Sequence, residues 1–192
     1  AASGFLNLLV NPENPRVVAR PPSGMRPVGA ADDGRRIFYC CSHHYGHLGS
    51  VVARYDTKIP IVENWNRCRD QLKAAAPHAE KQRIKLLIEN VWATFLISPF
   101  DMARFIDEIG SPWVQVHFDI GNMMRWGVAE HWAEVLGKRS QKLDVKEYDL
   151  KKAVNEGMAK GFDVPLGEGS INWPAVRAEL AKINFTGWAA AE

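Results

Sequence analysis

The chain lacks the glycine fingerprints that cradle phosphates. Neither GxGxxG nor GxxxxGK[ST] occurs anywhere in its 192 residues. That argues against a Rossmann or P-loop site, where those glycines let backbone N–H groups approach the anion. No apolar run comes near the roughly 18 residues needed to span a bilayer, so no membrane contact is expected. An excess of one charge is missing too. Lys and Arg number 24 against 22 Asp and Glu, a formal net charge of +2, and so there is no basic footprint for nucleic acid. Cysteine is scarce: Cys40, Cys41 and Cys68 are an odd number, and the adjacent pair is a poor disulfide. A reducing, cytoplasmic compartment is the resulting expectation. The first ten residues, AASGFLNLLV, lack a basic n-region and an initiator methionine. They read as a processed or truncated end rather than an intact signal peptide.

What is present suits one globular domain over 1–192, with 46% hydrophobic and 24% charged residues. Residues 1–47 are irregular, punctuated by NPENP, RPPSGMRP and GAADDG. Short strands are expected at Val17–Ala19 and Arg36–Cys41. His43, His44 and His47 in SHHYGH invite a metal reading. A polar loop is the simpler one, because no further ligand stands at a fixed spacing. From Gly49 the pattern sharpens, starting with a strand-like VVARYD. Ile61–Ala76 has helical periodicity (Ile61, Trp65, Cys68, Leu72, Ala76), with Pro77 expected to end it. Ser98 and Pro99 open a second helix that Gly110 closes. Further helices are expected at 129–136, 150–160 and 172–183, and strands at 83–89, 113–120, 140–145 and 187–192, with a loop holding PLGEG at 161–170.

Strands alternating with helices of this length mean βαβ units and a parallel sheet. Each of four strand-like runs delivers an acid near its C-terminal end: Glu89 in KLLIENVW, Asp119 in VQVHFDIGN, Asp144 in KLDVKEYD and Glu192 in FTGWAAAE. The first three recur after 30 residues (89 to 119) and 25 residues (119 to 144), close to one βα repeat. Parallel strands bring their C-terminal ends to one rim, where barrel enzymes keep their chemistry. Four acids on one rim suggest a single shared site.

IENVW, FDIGN, KLDVKEYD, PLGEG, INW and a closing strand ending in Glu, in that order, resemble the xylose isomerase-like TIM barrels. Within them the chain is most similar to the sugar phosphate isomerase/epimerase group. The resemblance covers Gly49–Glu192, is specific from Lys85 onward, and does not extend to residues 1–47. It implies an α/β fold of the TIM (β/α)8 type. A complete barrel takes about 250 residues and eight strands, so an incomplete or truncated one is expected. It also implies a divalent metal held by Glu89, Asp119, Asp144 and Glu192. Asp144 stands where the family usually has a histidine. An all-carboxylate set favours Mn²⁺ or Mg²⁺ over Co²⁺ or Zn²⁺.

The implied reaction is isomerisation or epimerisation of a sugar or sugar phosphate through an enediolate, with Glu89 and Glu192 moving protons on opposite faces. Lys146, His117, Asn122 and Glu168 are candidates for contacting substrate. Three of them have a plainer reading: His117 as a packed core histidine, Lys146 as a salt-bridged rim lysine, Glu168 as a turn acid. Trp92, Trp113, Trp126 and Trp173 read as core or rim aromatics. Two rival functions remain open. One is a metal-dependent dehydratase or lyase of a keto-sugar or polyol. The other is a non-catalytic barrel that binds sugar or a partner, and a homo-oligomer would protect an open sheet edge.

Overall fold

The computed structural model of the protein describes residues 48–51, 53 and 58–191. The strands expected at 17–19 and 36–41, the cluster His43/His44/His47, and Glu192 lie outside the described residues. Among the described residues five strands form one sheet: β1 (Leu48–Val51), β2 (Lys85–Glu89), β3 (Val114–Asp119), β4 (Ser140–Val145) and β5 (Trp188–Ala191). They lie side by side in chain order and every pair is parallel. An order that never reverses is that of a singly wound barrel; a doubly wound sheet would change direction at a switch point. The five helices between them are α1 (Ile61–Gln82), α2 (Pro99–Ile109), α3 (Ala129–Leu136), α4 (Leu150–Glu156) and α5 (Trp173–Lys182).

Local chemistry explains the boundaries. Ser98 Oγ accepts from Phe100 N at 3.2 Å and Pro99 opens α2, while Gly110 ends it at φ 70. Asp149 caps α4 through Lys152 N, and Asn172 caps α5 through Ala175 N. The chain departs from its sequence pattern at Pro77, which sits inside α1 rather than ending it. The ring removes a single N–H donor from the helix ladder. Burial of Ala76 and Ala79 on the core side carries the helix on to Gln82, where Arg83 closes it at φ 55. The helix expected at 150–160 is also divided. α4 stops at Glu156, Gly157 turns the chain at φ 115, and a short tight turn follows over Met158–Phe162.

The two faces of the sheet differ in character. Leu86, Ile88, Val114, Val116, Phe118, Leu143 and Ala189 pack under the helices with Phe105, Ile106, Trp132 and Val176. Phe118 and Trp132 stack with centroids 6.3 Å apart, and Phe105 meets Trp65 edge-on at 4.9 Å. Each fully buried side chain of this size stabilises the fold by about 1.5–3 kcal/mol. The other face carries Ser50, Glu89, His117, Asp119, Lys142 and Asp144, which the register aligns across four strands. One irregularity makes that alignment. Val116 pairs with Ser140 but His117 pairs with Lys142, so Gln141 is an extra residue in β4.

Candidate active site at the C-terminal rim

Glu89 ends β2, and Asn90 begins the loop beyond it. The Asn90 side chain reaches across to β3, accepting from Asp119 N at 2.8 Å and donating to Asp119 O at 2.7 Å. This clamp locks β2 and β3 at the level where the acids emerge. His117 lies one pairing row below Asp119, level with Glu89. Its Nδ1 is 2.9 Å from Ser50 Oγ and 3.6 Å from Glu89 Oε2. Its Nε2 is 2.9 Å from Asp144 Oδ2 and 2.8 Å from Lys142 Nζ. Lys142 also donates to Asp144 Oδ1 at 3.0 Å. All three side chains are buried, with 2% of His117, 1% of Lys142 and 7% of Asp144 exposed.

Burial alone would raise the Asp144 carboxyl. The hydrogen bond and charge of His117, reinforced by the Lys142 charge, outweigh it and hold Asp144 far below the usual carboxylate range. The acid is therefore ionised and ready to ligate or orient. Glu89, His117 and Asp144 each offer one donor atom, all within 4.8 Å of one another. The 2.9 Å between His117 Nε2 and Asp144 Oδ2 matches the roughly 3 Å spacing of two neighbouring ligands on one small divalent ion. In kind and spacing, the donors suit a divalent metal.

The other sequence candidates are placed as follows. Asp119 is fully buried beside this group without belonging to it. Its Oδ1 accepts from Asn122 N at 2.8 Å and its Oδ2 from Lys146 Nζ at 3.3 Å. Asn122 also donates to Asn90 O at 3.2 Å, which ties the turn after β3 to the end of β2. Lys146 lies just past β4 with its amine 5.3 Å from the centre of the Phe162 ring. Gly121 is held close to it, since a Cβ there would lie 2.7 Å from Lys146 O. Glu168 is exposed on the PLGEG loop.

Three residues escaped the sequence reading. Lys142 is the most telling, because a charge in the middle of a strand needs buried partners; that oddity was the available signal. Ser50 gave no signal. Glu147 is the acid that organises the PLGEG loop: its carboxylate accepts from Tyr148 N, Gly167 N and Trp173 Nε1 at 3.0, 2.8 and 2.6 Å. Aromatic rings flank this rim. Trp92 packs on Phe162 at 5.1 Å and on Tyr148 at 6.0 Å, and Arg125 lies over Trp92 and Trp126. A cleft of about 650 Å³ at the opposite rim, between Trp113, Lys138, Phe185 and Trp188, has no acid in its walls.

A singly wound parallel α/β sheet with its ionisable groups gathered at the C-terminal strand ends defines a barrel-type protein. The chain belongs to the xylose isomerase-like TIM barrel family, whose model matches residues 35–192. It is 26% identical over 139 residues to the Escherichia coli (strain K12) protein SgbU, assigned by name as an L-ribulose-5-phosphate 3-epimerase; the match covers 71% of this chain and 48% of that one. Its fold is similar to a xylose isomerase domain protein from Planctomyces limnophilus (TM-score 0.61, 16% identity, 76% of this chain and 51% of that one). It is also similar to D-psicose 3-epimerase with D-tagatose from Clostridium cellulolyticum H10 (TM-score 0.61, 18% identity, 76% and 50%). At such identities the two structures speak for the fold alone. The chain spans about half the length of the relatives it matches. Among the described residues no helix is long and apolar enough to cross a membrane.

Proposed function

We propose that this chain carries the site of a metal-dependent isomerase or epimerase acting on a sugar or sugar phosphate. One observation supports the reading above the others: Glu89, His117 and Asp144 converge to within 4.8 Å at the ends of three adjacent parallel strands. These residues would hold a divalent ion, with Asp119 and Glu192 completing the set. The four carboxylates of that set favour Mn²⁺ or Mg²⁺, and the His117 imidazole also accepts Co²⁺ or Zn²⁺. When bound, such an ion polarises a substrate carbonyl and its neighbouring hydroxyl, making the C–H between them acidic.

The chain's own residues do the rest. Glu89, with its side chain 11% exposed, removes the proton as general base, and Glu192 returns one to the opposite face. His117 orients Glu89 and Asp144. Lys146 and Asn122, beside Asp119, bind substrate oxygens or a phosphate, and Glu168 contacts substrate from its loop. The scarcity of cysteine supports a cytoplasmic setting.

The test is solvent deuterium exchange into a panel of ketoses and their phosphates, followed by NMR. The protein is first stripped with EDTA and then reloaded with Mn²⁺ or Mg²⁺. Exchange should require the metal and fall by about 10²- to 10⁴-fold in Glu89→Gln. Failure to take up any divalent metal would sink the proposal. A new enone absorbance in place of exchange would favour the dehydratase.

A further inference from the structure

Lys142 is a cation inside the strand layer, and two of the groups that satisfy it are donors of the candidate metal site. Its amine lies 2.8 Å from His117 Nε2 and 3.0 Å from Asp144 Oδ1. His117 Nε2 faces Asp144 Oδ2 at 2.9 Å as well. A ring nitrogen carries either a proton or a lone pair, so it cannot donate to Asp144 and accept from Lys142 at once. Whichever of the two Nε2 does, the Lys142 amine stands within hydrogen-bond distance of an atom of both His117 and Asp144, in the place a cation would take between them. Glu89, its Oε2 3.6 Å from His117 Nδ1, adds a second carboxylate to the neighbourhood.

We propose that Lys142 is a resident cation that sets the metal affinity of this site. The inference rests on the metal reading given above. Without metal, the amine neutralises the converging carboxylates and keeps His117 and Asp144 in place. It opposes a divalent ion by competing for those same donors and by like-charge repulsion at close range. The consequence is two-sided. Removing the charge strengthens metal binding and weakens the metal-free fold, because the buried Asp144 carboxylate then loses a charged partner. A residue that merely filled space would lower stability without improving affinity.

The experiment compares the full chain with Lys142→Met and Lys142→Gln. Mn²⁺ is titrated calorimetrically into stripped protein, and melting is followed in EDTA and in Mn²⁺. Both variants should bind Mn²⁺ at least about tenfold more tightly than wild type. They should melt lower in EDTA and recover with Mn²⁺, and folding only in the presence of Mn²⁺ is the extreme supporting result. Equal or weaker affinity in the variants overturns the role of Lys142 and leaves the metal site standing. No uptake by wild type or either variant overturns the metal reading and the Lys142 inference together. Should neither variant fold, the wild type decides. The ¹⁵Nζ resonance of Lys142 should shift on titration with Mg²⁺, and an unchanged resonance at saturation overturns the proposal.

Discussion

The side chain of Asn90 takes both main-chain groups of Asp119, one as acceptor at 2.8 Å and one as donor at 2.7 Å. It thus acts as an extra rung of the β2–β3 ladder beyond the last paired residues. Asn90→Ala strands two buried backbone groups and should cost about 2–4 kcal/mol of stability by urea denaturation. Asn90→Asp, which keeps the acceptor but sets a buried carboxylate oxygen against the Asp119 carbonyl, should lose at least as much. A loss of a few tenths in either would show that the rung is incidental.

Glu147 is nearly fully buried and is satisfied by the loop it gathers. In Glu147→Ala, Gly167 N and the Trp173 indole lose their acceptor. Destabilisation of about 2–4 kcal/mol is expected, with new protease cleavage between residues 163 and 172. An unchanged digestion pattern would mean that the loop holds itself.

Gly121 is required by space. A Cβ there would lie 2.7 Å from Lys146 O and 2.8 Å from Lys146 Cγ. Gly121→Ala must therefore push the two loops apart, at a cost of about 1–3 kcal/mol, and should loosen the contact between Lys146 and Asp119. Measured stability equal to wild type would contradict so close an approach.

Burial pushes the Cys68 thiol up to about 11. The unfolded thiol titrates near about 8.5, so between these values the folded chain holds the proton that the unfolded chain releases. Stability from this group is complete below about pH 8.5 and is lost as pH rises towards 11. Iodoacetamide labelling at pH 8, resolved by peptide mass, should be much slower at Cys68 in the native chain than in urea, and should accelerate with alkali. Equal rates at pH 8 would refute it.

The parts of the site that follow from strand parity were legible beforehand. Glu89 and Asp119 could be placed at one rim because apolar runs ending in acids mark parallel strands. Lys142 stayed hidden because acids at strand ends mark a rim, whereas this cation stands in mid-strand and is stabilised by Asp144 two residues on and by His117 from the neighbouring strand. His117 offered two plausible lives, packing or lining, and only the approach of Ser50, Asp144 and Lys142 distinguishes them. Pro77 misled for the opposite reason. Its local preference is strong, but tertiary burial of Ala76 and Ala79 overrode it. Glu147, between a lysine and a tyrosine, carried no local mark of the loop it would anchor 20 residues later (147 to 167).

The extra residue in β4 makes the polar interior a matter of counting. Val116 pairs with Ser140, and Gln141 advances β4 by one before His117 meets Lys142. Without Gln141, Ser140 and Lys142 would be consecutive and still opposite Val116 and His117, so the bulge would vanish and the polar side would stay inward. Losing Leu143 leaves no such slack. Either Lys142 or Asp144 would then have to change face and be driven against the helix layer. The bulge is thus a spare position, where the strand can lose a residue without turning its charges into the oily side of the sheet.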